Sequence, residues 1–522
     1  MRNRLFAVLL IAPMLLSGCN RAPTSSATQS GNVVVLIESS PNTLDPRIAT
    51  DAQGARISSL IFDSLVRKDD HFNLQPCLAT SWEQPDPLTI IFHLRSGVRF
   101  HDGRPLTSAD VAWTLNSMRD GTVISAKTSH LNAIANIETP DALTVVLHLH
   151  QPDANLLWNL TDGLNGIVPA GSGRELSSHP IGSGPFRFVS QADDKDVVLA
   201  ANNEYWGAKP YVGGAVFAVV PDETTRALEL EKGSADIAIN SLMADTVNAL
   251  QQEPQLAVDI SPGTILNYIN INVSKPPLND RRVRQAIAYS IDRSSIIHAL
   301  FRDRAVRASS LLPPDHWAYF GDPKSSGNAN AGLVKYPHDV ARARRLLDEA
   351  GYLPDANGVR IHITMKTSTD ETTRLLAAIL QQQMREAGIE LSIRSYEFAT
   401  FFGDITHGAF QLYALRWIDS NEDPDIFRDT LASSNIPPHG SNRGHYINPK
   451  VDALLAHAAS VSDQASRRDD YIEVQKIVAE DVPEINLWYL DNVLVHTRRV
   501  TGMEVSPSGS YDFLRTVKFS GK

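Results

Sequence analysis

The 522-residue sequence predicts an α/β protein built from at least two lobes. Period-two strand patterns alternate with helical segments along the whole body, the grammar of packed α/β layers. About 490 residues follow the N-terminal segments, more than one hydrophobic core usually organises, and 43% hydrophobic content suffices for two. No fixed-period repeat is present, which sets solenoids and propellers aside.

Arg2 and Arg4 precede an apolar run, Leu5 to Leu16, that ends at Ser17-Gly18-Cys19. Twelve such residues span about 18 Å as a helix, short of a roughly 30 Å hydrocarbon core, so the run reads as a secretion signal, residues 1–18. Its ending resembles the lipobox of bacterial lipoproteins. That resemblance implies lipidation at Cys19 and a protein tethered to the membrane through this anchor. Residues 19–32, rich in Ser, Thr, Gln and Ala, read as a flexible tether.

The strongest unit lies late in the chain. Val359, Ile361, Ile363 and Met365 alternate as a strand, Thr373 to Ala387 has helical spacing, Gly388 stops it, and Ile389, Leu391 and Ile393 alternate again. This is a βαβ unit with parallel strands. Asp339 caps a preceding helix that ends at Gly351, and Thr224 to Lys232 forms another, closed by Gly233 before a strand at Ile237 and Ile239. After His101-Asp102-Gly103, a turn, Thr107 and Asp110 open a helix as a capping box.

The formal net charge of −11 argues against nucleic-acid binding. With Cys19 acylated, Cys77 is the remaining cysteine, so no internal disulfide and no cysteine metal cluster is expected. His148 and His150 share a strand face, a spacing open to metal, but Leu147 and Leu149 fit a half-exposed strand better. A secreted hydrolase is the competing class. Neither a Gly-x-Ser-x-Gly elbow, nor a His-Glu-x-x-His helix, nor a P-loop occurs, and no catalytic residue, metal or cofactor is assigned.

Several stretches carry a specific resemblance: Leu74 to Glu83, Phe92 to Val111, Gly182-Ser183-Gly184-Pro185-Phe186, Asn203-Glu204-Tyr205-Trp206, Asp280 to Asp292, and Asp423-Pro424-Asp425. Together they resemble the family 5 extracellular solute-binding proteins of ABC transporters, the dipeptide-, oligopeptide- and nickel-binding group, from Val33 to Phe519. The resemblance implies a bilobal periplasmic binding protein type II fold with an extra subdomain on the first lobe. Lobe I is expected at 33–265, with an inserted subdomain at about 66–178, lobe II at 266–486, and a return to lobe I at 487–522. The interlobe crossings are placed near Leu266–Asn272 and Pro483–Trp488. The run Arg281, Arg282, Arg284 reads as a solvated helix face or, less simply, a transporter contact.

Ligand contacts are expected in the cleft, first at Trp417, Asp419, Ser420 and Asn421. In peptide-binding relatives an aspartate three places after the tryptophan grips the ligand's ammonium; here that place is Ser420, with Asp419 one residue early. Ser39 and Ser40 follow the first strand and either donate to ligand or satisfy their own turn. Tyr268 and Asn270 lie at the proposed first crossing, and Asn442, Arg443 and Tyr446 in a loop able to face the cleft. Arg443 suits a carboxylate or a structural ion pair, and Trp417 a stacked ligand or core packing. The resemblance implies a monomer at the extracytoplasmic face of the membrane. It delivers peptides, or alternatively nickel chelates, haem, sugars or opines, to ABC permease subunits; a ligand sensor would use the same fold.

Overall fold

The computed structural model describes residues 31–49, 51–125, 127–161, 166–192, 196–320, 335–417, 423–437 and 439–521. Cys19, the signal, Asp419, Ser420 and Asn421 lie outside the described residues.

Strand β1 (Asn32–Ile37) is buried on both faces. Val33, Val35 and Ile37 enter one core cluster, Val34 and Leu36 another, which is why this strand reads as an unbroken apolar run. Each such side chain contributes about 1.5–3 kcal/mol of burial. The chain then leaves this sheet for β2 (Val66–Lys68), β3 (Leu74–Pro76), β4 (Ala79–Asp86), β5 (Thr89–Leu94), β6 (Ile134–Asp141) and β7 (Thr144–Leu149). Four of these form a separate antiparallel sheet, β4-β5-β7-β6, whose Phe92 and Leu147 pack against Val111, Leu115 and Met118 of the helix Ser108–Arg119. That helix opens as its sequence foretells, with the Asp110 carboxylate accepting the Thr107 N–H at 2.7 Å.

The chain returns through β8 (Phe186–Gln191), β9 (Asp196–Ala201), β10 (Gly214–Val219), β11 (Ile237–Ile239) and β12 (Leu256–Ser261). With β1 and a later strand they make a seven-stranded sheet in which β1 runs parallel to β10 and β11. The second large sheet holds β13 (Leu266–Ile271), β14 (Ala305–Arg307), β15 (Ile361–Ser368), β16 (Ile389–Tyr396), β17 (Leu412–Trp417) and β18 (Glu484–Leu490), in the order β14-β18-β13-β17-β15-β16. The βαβ unit is present: β15 and β16 pair in parallel around the helix Glu371–Glu386, and Gly388 takes φ +84°. β19 (Asn492–Thr497) rejoins the first sheet between β12 and β11.

Sheet membership shows where the chain passes between the two large sheets. Leu266–Asn272 and Pro483–Trp488 are, almost throughout, strand residues of the second sheet, and the chain passes between sheets at Pro262–Ile265 and at Asp491. The expected return at 487 therefore falls inside β18. Nothing in an apolar run marks the residue at which its hydrogen bonds change partner. The two passages touch: Leu490 N–H donates to Ile265 O, and a Cβ on Gly263 would stand 2.3 Å from Leu490 O. Asn492 pins them to the first sheet, its amide donating to Pro262 O, Ser506 O and Pro507 O.

The motif stretches prove to be scaffold. The buried Asp63 carboxylate accepts from the Ser183 hydroxyl, the Tyr205 hydroxyl and Trp206 Nε1, at 2.8–2.9 Å. Gly182 and Gly184 pass so close to Ile61 O that a Cβ would stand at 2.0 and 2.7 Å, so no other residue fits. His101 bonds Gly184 O through Nε2, and burial lowers its imidazole to about 4. The arginine run is not uniformly solvated. Arg284 is buried and donates to Leu278 O, Asn279 O, Asp481 O and Val482 O, closing the end of the helix Gln464–Asp481. Arg281 and Arg282 stay exposed beside Glu480 and Asp280.

Candidate ligand-binding site

The carboxyl ends of the parallel strands β1, β10 and β11 and of β15–β17 lie at the same ends of their sheets as the two passages. Ligands of open α/β sheets bind at such ends. The lobes also touch on both sides of the passages. On one, Arg302 pairs with Asp245 and Arg304 donates to Ala244 O and Asn248. On the other, Arg467 Nη2 donates to Asn155 Oδ1 at 2.6 Å, Ala154 N–H to Ala459 O, and Trp158 stacks on Trp317 at 6.2 Å.

Trp417 ends β17 and stacks on Tyr268, centroids 5.4 Å apart and planes 8° from parallel. The two fit because Trp417 pairs with Leu266 across the strands and Tyr268 is two residues on, on the same face. Tyr413 meets Tyr268 edge-on, and Phe401 and Phe410 close behind them. The Arg443 guanidinium lies 5.7 Å from the Trp417 ring centre and 5.2 Å from that of Phe402. Phe402 in turn stacks on Phe398, and these two rings are exposed, the latter by 52%.

Burial pushes the Tyr268 and Tyr413 phenols up, while the nearby Arg443 charge pulls the other way. Among the described residues Trp417 Nε1 is buried without a hydrogen-bond partner, while the Tyr268 and Tyr413 hydroxyls and the Arg443 guanidinium stand close enough to interact with one another. These polar groups around one aromatic cluster form a lining able to receive a ligand at its Trp417 and Arg443 side. Beside them a hollow of about 130 Å³ is edged by Asn267, Ser368, Asp370, Phe398 and Arg416.

The structure thus gathers Trp417, Tyr268 and Arg443. Asn270, 7% exposed, lies opposite Tyr413 and two residues from Tyr268 on the same strand face, with its carboxamide against Gly444 beside Arg443, so it stands at the inner side of the same cluster. Asn442 serves its own loop, donating to Leu431 O, Ala432 O and Tyr446 O, and the Tyr446 hydroxyl donates to Asp481. Ser39 and Ser40 stand at the carboxyl end of β1, where Asp51, Thr43 and Gln191 side chains bond the backbone of the turn. Sequence reasoning missed Phe398, Phe402 and Arg416. Phe398, Phe401 and Phe402 in one short helix, more than a single buried face needs, were the available signal.

Two helix-flanked sheets joined by paired crossings, with an aromatic and cationic lining at their shared end, define a bilobal solute-binding protein of the periplasmic type. The comparisons agree. The model of the bacterial extracellular solute-binding proteins, family 5, matches residues 73–437. The probable di/tripeptide-binding protein 5 of Pseudomonas aeruginosa is 31% identical over 97% of this chain and 98% of its own. The heme-binding protein A of Haemophilus influenzae is 27% identical over 100% of both. Among solved structures, the ABC transporter-associated periplasmic binding protein DppA of Helicobacter pylori, in complex with peptide STSA, aligns with a TM-score of 0.75. Its identity is 27%, over 95% of this chain and 100% of that one. The chain belongs to the family 5 bacterial extracellular solute-binding proteins, which are transport binding proteins and not enzymes. Among the described residues no helix is long and apolar enough to cross a membrane.

Proposed function

We propose that this chain is the lipid-anchored receptor of an ABC importer, held at Cys19, and that it captures di- to oligopeptides in the interlobe cleft. The observation that carries the reading is the Trp417–Tyr268–Arg443 cluster. Its flat rings accept varied side chains, and its guanidinium suits a carboxylate at the ligand's end. The peptide-binding relatives support the same ligand class. Asp419, Ser420 and Asn421 follow Trp417 after Ile418 and are proposed as the ammonium side of the site. Ser39 and Ser40 are proposed contacts from the opposite lobe.

The test is a thermal-shift and calorimetric screen of the chain from Asn20 onward against di- to pentapeptides, nickel with histidine, haem and oligosaccharides. A ligand at a hundredfold its Kd adds about 2.7 kcal/mol of stability. Peptides are expected to raise Tm, with Trp417→Ala weakening them at least about tenfold and Asp419→Ala removing the ammonium preference. A shift with haem alone would move the ligand to the class of the Haemophilus influenzae relative and overturn the peptide reading.

A further inference from the structure

The seam between the first lobe and the helix Gln464–Asp481 shares no residue with the Trp417 cluster. Across it Phe72 stacks on His316, centroids 5.5 Å apart and planes 17° from parallel, Trp158 stacks on Trp317, and Arg467 holds Asn155. All of these contacts exist only while the lobes stand together.

Asp423 and Asp425 belong to the second-lobe side of this seam. Arg428 forks onto Asp425, and Arg467 spends Nη2 on the neutral Asn155 Oδ1 and not on a carboxylate. Asp423 accepts the Asp425 N–H at 2.8 Å and has no ion pair among the described residues. The charged groups that face the pair come from both lobes. Arg467 and the first lobe's Lys68 act on Asp423, the first lobe's Asp153 and Arg467 act on Asp425, and the Tyr471 phenol lies near both carboxyls.

Two carboxylates sharing one desolvated place do not both ionise readily. Burial first, and then the Asp425 charge, hold Asp423 well above the ordinary carboxylate range, and Arg467 and Lys68 offset only part of this. Burial raises Asp425 as well, against its Arg428 partner. Because Lys68 and Asp153 reach the pair from the opposite lobe, separating the lobes returns water to both carboxyls.

We infer that closing the lobes takes up a proton on the Asp423–Asp425 pair, so that capture in the cleft strengthens as the surroundings turn mildly acidic. The sign follows from linkage. Closure is strongest below the range in which the open pair ionises, weakens by up to about tenfold per pH unit above it, and levels once the closed pair has lost its proton. His130, which faces Asp429 across the same seam, is lowered by burial and by Lys127, an effect of opposite sign. The inference does not depend on which solute the cleft holds.

The test combines small-angle scattering of the ligand-free chain from Asn20 onward with calorimetry on trialanine, each at about pH 5.5 and about pH 7, where the peptide's ammonium stays protonated. At the lower pH the parent is expected to be more compact and to bind about tenfold tighter. Asp423→Asn, uncharged throughout, should stay compact and tight-binding at both, whereas His130→Gln should keep the pH dependence. A parent indifferent to pH, or a dependence that survives Asp423→Asn, would overturn the proposal. Should Asp423→Asn fold poorly, the parent decides: trialanine binding in two buffers of different ionisation enthalpy should show net proton uptake, and no uptake or a release overturns it. If trialanine binds at neither pH, the peptide reading falls and scattering alone decides this inference.

Discussion

Glu484 is an unusual residue to keep at the start of a core strand. Its carboxyl is pushed up to about 8 from the ordinary 4.5 by burial. Below about pH 4.5 it is protonated in both the folded and the unfolded chain. Between there and about pH 8 the unfolded chain ionises while the folded one holds its proton, so stability falls as pH rises through that window. Glu484→Gln removes the penalty. The variant should be more stable than the parent at pH 8, on the order of 3 kcal/mol, with the gap closing towards pH 4.5, as measured by urea unfolding across pH. Trp417 presents the opposite balance, half-buried and stacked on one face. Trp417→Ala should cost about 2 kcal/mol by the same measurement, less than a fully enclosed tryptophan would. Sequence alone marked Trp417 and Arg443 as candidates, because an aromatic residue and an arginine in polar, turn-rich stretches are residues without an evident core role. It did not separate them from Asn442 and Tyr446, whose side chains turn inward to carbonyls and to Asp481.

At the scale of elements, local pattern translated well wherever one helix or strand answers to its own neighbours. The helix Val340–Glu349 begins at Asp339, whose carboxylate accepts from Arg342 N–H, and Gly351 beyond its end takes φ +91°. The glycine-rich stretch at 182–184 is stricter still, because backbone packs on backbone. Gly182→Ala would place a methyl 2.0 Å from Ile61 O, and neither side can yield as a flexible side chain would. The expected loss is about 3 kcal/mol, read as a lower urea midpoint with an unchanged slope. Arg284 shows where local pattern misleads. Three arginines in four positions look like a solvated face, yet a helix of this amphipathicity turns one of them inward, where the carbonyls closing the Gln464–Asp481 helix absorb its charge.

For the whole molecule the decisive contacts lie between lobes. Arg467 reaches Asn155 and the backbone of Ala154 from the second lobe, and Trp317 stacks on Trp158 nearby. Arg467→Ala should loosen this side and favour an open arrangement. Small-angle scattering of the ligand-free variant should give a larger radius of gyration than the parent, and ligand affinity should fall several-fold because closing the lobes then costs more; an unchanged radius would argue against a joint at Arg467. The sequence by itself determined the α/β class, the βαβ unit, the capped helices and the family, since each rests on periodicity, caps or motifs read within a few tens of residues. Only the tertiary structure decided the positions of the crossings, the burial of Arg284, the placement of Asn270 opposite Tyr413 and the burial of Glu484. Those depend on which distant strand takes each hydrogen bond and which side chain faces a shared space, and neither is written in local spacing.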